Sequence, residues 1–313
     1  MLRWRQVKLG LIWLGLWIPL GLYGVAVIHR PGHDAMARQP LFQGIVYSRR
    51  LAARPRPQII HIVEIDLTAP GLTPLVTPGY EGADLGKSGL DRREVLARRT
   101  SEFLTEHGLQ LAVNANFFYK FREVTPWNYY PHSGQPANLV GLAISNGEIV
   151  SEGNPNGRAL PSLCFGEQRA EMRGDGTCGP ETQQAIAGNL LLLEKGRPTE
   201  TVQTQIAYEG NKPYPFTVAA LDTSGTRLWL VLTDGKQPLY SEGTTLGEIT
   251  ELVQELGADT AMRLDGGGST TVAIATPTGP TLLNSPAHGK IPGNERPVAN
   301  HLGFFAQPLD SAR

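Results

Sequence analysis

Cysteine is scarce in this chain, and no excess of one charge sign is present. Two cysteines among 313 residues exclude a disulfide-dense scaffold and a cysteine-rich zinc module. The 28 lysines and arginines nearly cancel the 29 aspartates and glutamates, so no global field favours nucleic acid or another polyanion as partner. Signatures of common chemistries are missing too. There is no Gly-x-Ser-x-Gly nucleophile elbow, no lysine after the Gly-rich loop at 266–268 to make a Walker motif, and no His, Cys and carboxylate set at zinc spacing.

What is plentiful is glycine (36) and proline (24), scattered between apolar runs rather than massed in one tract. That pattern predicts many short strands joined by tight turns, in a chain long enough to bury a large core. Strands are expected at 58–67 (QIIHIVEIDL), at LQLAVN, and through AIAGNLLLLEKGRP, FTVAALDTSGTRLWLVLTDG and TTVAIATPTGPTLLN. A hairpin is expected to turn on Asn146-Gly147, a dipeptide that tolerates the positive φ of a type I′ turn. Two main helices are expected. One carries Val95, Leu96, Phe103 and Leu104 on a stripe, with Asp91 and Glu94 as a capping pair and Gly108 as its stop; the other is opened by the capping box Thr245 to Glu248 and closed by Gly257. The fold class is therefore α+β, a single domain of mixed β-sheet.

An address label precedes that domain. Arg3, Arg5 and Lys8 lead into an uncharged stretch, residues 9–28, whose roughly twenty residues would rise about 30 Å as a helix, the depth of a bilayer core. Residues 1–28 read as a signal anchor that holds the chain at a membrane, or as a signal peptide cleaved after Ala26 in Gly24-Val25-Ala26, which would release a secreted protein. Either route exports the bulk of the chain. Residues 29–57, rich in Arg and Pro, read as a linker, 58–306 as the folded domain and 307–313 as a tail. Export would also favour a disulfide between Cys164 and Cys178.

One internal echo bears on function. SEFLTEHG and TELVQELG each end a helix at glycine and lead into a short apolar strand ending in a polar residue. The first strand runs into Asn114 and Asn116 (AVNANFF), the second into Asp265 (RLDGGGST). Two such strands running the same way in one sheet would bring Asn114 and Asp265 to one edge, where open α/β sheets place a ligand crevice.

Asp265 is followed by Gly266, Gly267, Gly268, Ser269 and Thr270. A backbone without Cβ atoms can turn successive N–H groups toward one anion, and the hydroxyls add donors; a plain Gly-rich turn is the other reading. Asp234 and Lys236 lie at a strand-to-turn junction, with a solvated turn lysine as the alternative, and Glu295 and Arg296 lie just before the last strand, with a surface ion pair as the alternative. Amide, hydroxyl, cationic and carboxylate groups together suit cleavage of a glycosidic or phosphodiester bond. Nothing in the sequence requires a cofactor, although a carboxylate beside backbone carbonyls leaves room for calcium.

In this order, AVNANFF, LTDGKQPLYSEGTTLGEITELVQELGADTAMRLDGGGSTTV and NERPVANHLGF resemble the phosphodiester glycosidase family over about residues 58–306. The resemblance implies a hydrolase of glycosyl phosphodiesters acting on envelope or extracellular glycans. Asp265 and Glu295 are then the candidate catalytic carboxylates. Asn114, Asn116, Asp234, Lys236, Gly266 to Thr270, Arg296 and Asn300 are the candidate substrate contacts. One departure stands out, since the family usually carries Pro-Arg-Thr-Ala where this chain has PFTVAA, which puts Phe216 at an arginine position. A phenyl ring there removes a bidentate cation, or supplies a stacking face for a sugar. A module that binds glycans or anionic polymers without turnover is the rival reading.

Overall fold

The computed structural model describes residues 21–32, 34–82, 92–153, 157, 159–210 and 212–309. Two sheets face each other and helices cover their outer sides. The larger sheet has eight strands in the order Met36–Phe42, Ile45–Ala52, Gln58–Asp66, Arg227–Thr233, Thr217–Leu221, Thr260–Arg263, Leu190–Glu194 and Arg197–Pro198. Every neighbouring pair in it is antiparallel. The facing sheet has five strands, ordered Gly279–Leu282, Val272–Thr276, Leu111–Asn114, His301–Phe305 and Thr73–Val76. A second five-stranded sheet, centred on Gln184–Ala187 and Ser162–Phe165, closes one side of the same core.

The central strands are buried on both faces, which is why they read as nearly continuous apolar runs. In Gln58–Asp66, Val63 and Ile65 point into the space between the sheets, where Leu111, Val113, Val272, Leu302 and Phe304 meet them. Ile60 and Ile62 point the other way, against Leu246, Ile249 and Val253 of the helix Leu246–Glu255. Each such fully buried side chain contributes roughly 1.5–3 kcal/mol. The helix Thr100–His107 covers the outer face of the smaller sheet with Phe103 and Leu104.

Several expectations hold. The capping box is formed, with Thr245 Oγ1 accepting from Glu248 N at 3.1 Å and the Glu248 carboxylate accepting from Thr245 N at 2.8 Å. Asn146 and Gly147 both take positive φ between the paired strands Leu142–Ser145 and Glu148–Glu152. Cys164 and Cys178 form a disulfide.

Others are corrected. The first helix begins only at Thr100, and Val95–Leu96 is a short strand; Asp91 of the expected cap lies outside the described residues. A third helix, Glu200–Glu209, was not expected, because Val202 is its one buried residue and no apolar stripe marks it. The stretch 29–57 is no plain linker: Met36–Phe42 is the edge strand of the larger sheet and Ile45–Ala52 the strand beside it. There Ile45, Tyr47 and Arg49 alternate inward, the period of a strand, but the arginines mask it in the composition. Most of the expected membrane helix lies outside the described residues, of which 21–28 are helical. Among the described residues no helix is long and apolar enough to cross a membrane.

Candidate active site

Asn114 and Asp265 do meet, by a different route from the one expected. Their strands belong to separate sheets that face each other, not to one sheet. The Asp265 N–H donates to Ala115 O at 2.9 Å, and the Asn114 amide donates to Asp265 O at 2.6 Å. Asn114 Oδ1 in turn accepts from Thr217 Oγ1 at 3.0 Å and Thr271 N at 3.1 Å. Thus Asn114 is a fully buried brace between sheets, with every amide group engaged by protein.

Asn116 and Asn300 are likewise internal. Asn116 donates to Val140 O and Leu142 O, while its carbonyl accepts from Ala187 N at 2.8 Å and Asn300 Nδ2 at 2.9 Å. Asp234 is buried below the loop, accepting from Ser285 N at 2.8 Å, Asn284 Nδ2 at 3.2 Å and His61 Nε2 at 3.1 Å. The His61 tautomer that serves Asp234 leaves Nδ1 to accept the Tyr47 hydroxyl at 2.8 Å. Asn284 also donates to Thr270 O, so this buried network sets the height of the Gly-rich loop from beneath.

The loop itself is a 3-10 turn, Gly267–Ser269. Most of its amides are spent inside the protein, which corrects the expectation of an open anion nest. Gly266 N donates to Asp265 Oδ1, Gly267 N to Pro215 O, Ser269 N to Gly266 O and Thr270 N to Gly267 O. The glycines serve close approach instead. A Cβ on Gly267, which also holds φ at +67°, would lie 2.5 Å from Tyr214 Oη, and one on Gly268 would lie 2.5 Å from Arg296 Nη2. Glycine is what lets an aromatic and a guanidinium close around Asp265.

Two cations flank the carboxylate. Arg296 donates to Ser269 Oγ at 3.3 Å and to Glu123 Oε2 at 2.5 Å, and lies over the Phe121 ring at 4.5 Å. Lys236 Nζ lies over the Tyr214 ring at 4.2 Å. Asp265 keeps a partly accessible edge, yet burial pushes its pKa up to about 6, against the opposing pull of Ser269, Arg296, Gly266 N and Lys236. Glu123 Oε2 also lies 3.0 Å from His288 Nδ1. Burial opposes its ionisation, but the Arg296 contact and His288 hold Glu123 below the ordinary carboxylate range; burial and the Arg296 charge hold His288 below the ordinary imidazole range.

Glu295 does not join this group. Its carboxylate accepts from Ser101 N at 3.0 Å and from the Ser101 hydroxyl, at the first turn of the helix Thr100–His107. Burial raises its pKa against those two bonds. Among the described residues, no group of three or more His, Cys, Asp and Glu is arranged to hold a metal ion.

A cleft of about 300 Å³ opens beside Asp265 and Gly266, walled by Phe117, Tyr214, Phe216 and Arg263. The Thr217–Leu221 strand pairs Val218 with Arg263, and extending that register sets Phe216 opposite Asp265. Phe216 packs on Tyr214 with ring centroids 5.7 Å apart. A larger cavity of about 830 Å³, lined by Leu72, Phe165, Arg169 and Phe305, contains none of the expected site residues. Chemistry therefore points to the smaller cleft.

The sequence profile of the phosphodiester glycosidase family matches residues 107–305. The chain belongs to the phosphodiester glycosidase family. Comparison of the chain with curated proteins finds no matching relative. Its fold is similar to that of the catalytic domain of zebrafish N-acetylglucosamine-1-phosphodiester alpha-N-acetylglucosaminidase, auto-inhibited by its pro-peptide, at a TM-score of 0.59 and 19% identity over 89% of each chain. It is also similar to a protein of Burkholderia pseudomallei K96243, at a TM-score of 0.53 and 14% identity over 82% of this chain and 75% of that protein.

Sequence reasoning missed Glu123, Tyr214 and Arg263. The aromatic density of FYKFREVTPWNYY signals the loop that carries Glu123, but nothing in it singles out the carboxylate. Arg263 sits two residues before Asp265 and reads as an ordinary strand cation until the cleft is seen.

Proposed function

We propose that this protein hydrolyses the bond between a sugar's anomeric carbon and a phosphodiester oxygen. The observation that carries the reading is Asp265, a carboxylate with its pKa raised to about 6, set between Arg296 and Lys236 and opening onto a sugar-sized cleft. The name of the zebrafish relative specifies the same bond class.

In the proposed reaction the ring lies in the cleft and the phosphate lies toward Arg296 and Lys236. Ionised Asp265 takes a proton from water, the water oxygen bonds to the anomeric carbon, and the anomeric C–O bond breaks. The electron pair leaves with a phosphate monoester. Its second pKa is about 6, so it departs without an acid's help, and the two cations stabilise its growing charge. With Glu295 bonded to Ser101, Asp265 acts as the single carboxylate at the anomeric carbon.

Export and membrane anchoring remain part of this proposal. They are supported by the basic and then apolar residues 1–28 and by a disulfide, which persists in oxidising compartments.

The test is hydrolysis of a panel of glycosyl phosphodiesters by the full chain. Turnover that falls at least a hundredfold in Asp265→Asn, with the melting temperature not lowered, supports the enzyme. Binding of the same compounds without turnover would instead identify a glycan-binding module.

A further inference from the structure

Arg263 stands apart from the catalytic cations. It lies on the helix-facing side of the larger sheet, the side shared by Phe216, Val218 and Ala261, whereas Met262 and Leu264 point between the sheets. Asp265, two residues on, emerges on the same side as Arg263. Two residues of strand span about 6.7 Å, so Arg263 and Asp265 leave the backbone roughly one sugar ring apart and both line the cleft.

That guanidinium is held in place. Asn189 Oδ1 accepts from Arg263 Nε at 2.9 Å, and Glu209 Oε1 lies 3.3 Å from Nη1. Glu209 Oε1 also accepts from Gln205 Nε2 at 2.7 Å, so its charge is shared. The Arg263 side chain is only 17% exposed, and the face it presents is the cleft that Tyr214, Phe216 and Phe117 line. A surface arginine would gain little from an ion pair, whereas a fixed guanidinium in an aromatic-walled cleft is pre-organised for a planar anion.

Resting on the glycosidase reading above, we infer that the cleft selects a sugar that carries a carboxylate, as a uronic acid does, and that Arg263 is the residue that reads it. The ring rests against Tyr214, which the buried Phe216 backs, the anomeric carbon faces Asp265, and the carboxylate on the far side of the ring meets Arg263. Charge favours a carboxylate over a phosphate as this second anion. Glu209 and Asp265 border the cleft and offset Lys212 and Arg263, so a monoanion leaves less uncompensated charge there than a dianion.

The test compares two substrates that differ only at C6, the methyl phosphodiesters of glucuronic acid 1-phosphate and glucose 1-phosphate, with the full chain. The expected kcat/KM ratio favours the uronyl substrate by at least tenfold. In Arg263→Gln the ratio falls toward one, mainly through KM of the uronyl substrate, and Arg263→Lys restores part of it. Glu209→Gln, which removes the competing charge, raises the ratio and provides a second reading if the arginine variant folds poorly. A native ratio near or below one, or a ratio unmoved by both changes, would overturn the inference and leave the glycosidase reading intact. If neither diester is hydrolysed, the glycosidase reading fails, and calorimetric binding of glucuronic acid 1-phosphate against glucose 1-phosphate decides the inference alone. Tighter binding of the uronic acid that is lost in Arg263→Gln supports it, and equal binding overturns it.

Discussion

The Asn114 side-chain amide reaches the Asp265 carbonyl at 2.6 Å from the opposite sheet. This bond, with the return bond from Asp265 N to Ala115 O, ties the two sheets at the point where the candidate catalytic carboxylate leaves its strand. Replacing Asn114 by Ala takes the partner from Thr271 N and Asp265 O and leaves Thr217 Oγ1 only its 3.5 Å contact with Thr270 Oγ1. Unsatisfied buried groups cost about 1–3 kcal/mol each, partly relieved by relaxation. A loss of about 3 kcal/mol in urea unfolding is expected, with catalytic activity falling as well because Asp265 loses its anchor.

Gly268 tests whether the glycines exist for packing. A methyl group there would lie 2.5 Å from Arg296 Nη2 and 2.8 Å from Cζ, so Gly268→Ala must displace the guanidinium. A shift of about 1 Å in a positioned group can cost about a hundredfold in rate. The expected result is a kcat/KM lowered by about ten- to a hundredfold with a nearly normal melting temperature.

Asp265 should be legible in stability as well as in rate. Burial raises its native pKa to about 6 from an unfolded value near 3.8, so the native state holds the proton more tightly than the unfolded chain. Stability contributed by this group is then present below about pH 4 and is lost as pH rises through about 6. Asp265→Asn removes that penalty, and its unfolding free energy should exceed the native protein's by on the order of 2 kcal/mol at pH 7.5, with the advantage gone near pH 4. The native kcat/KM should rise with pH through about 6, because the proposed base must be ionised. An opposite slope would assign Asp265 the role of acid.

Glu295 is expected to matter for stability more than for chemistry. Its carboxylate caps Ser101 at the start of the helix Thr100–His107, where an anion also meets the positive end of the helix dipole. Loss of such a cap costs about 1 kcal/mol. Glu295→Ala should lower the melting temperature by several degrees while leaving most of the turnover, measured on the same phosphodiesters.

The loop from Asp265 to Thr270 shows how much could be read in advance. Its sequence marks it as a site, because three adjacent glycines after a carboxylate have a large entropic cost that a plain turn does not require. Their task was misjudged, since the amides of Gly266, Gly267, Ser269 and Thr270 find acceptors within the protein while the missing Cβ atoms admit Tyr214 and Arg296. Asn116, Asp234 and Asn300 are expected as substrate contacts from their polar type and their places in the family motifs. A polar side chain in a short motif looks the same whether it braces a buried turn or faces a ligand, and only burial and partners distinguish the two.

Local order was determined by the sequence alone: the capping box at Thr245, the turn at Asn146-Gly147, the apolar strands and the family motifs all depend on neighbours a few residues apart. Only the tertiary structure decided that Asn114 and Asp265 face each other across two sheets, that Glu295 serves a helix, and that Arg263 and Phe216 share a cleft. Those relations join residues up to 194 positions apart, as between Ser101 and Glu295, and arise from sheet order and register. Strand pairing is set by the competition of all apolar faces for one core, which no short window of sequence contains.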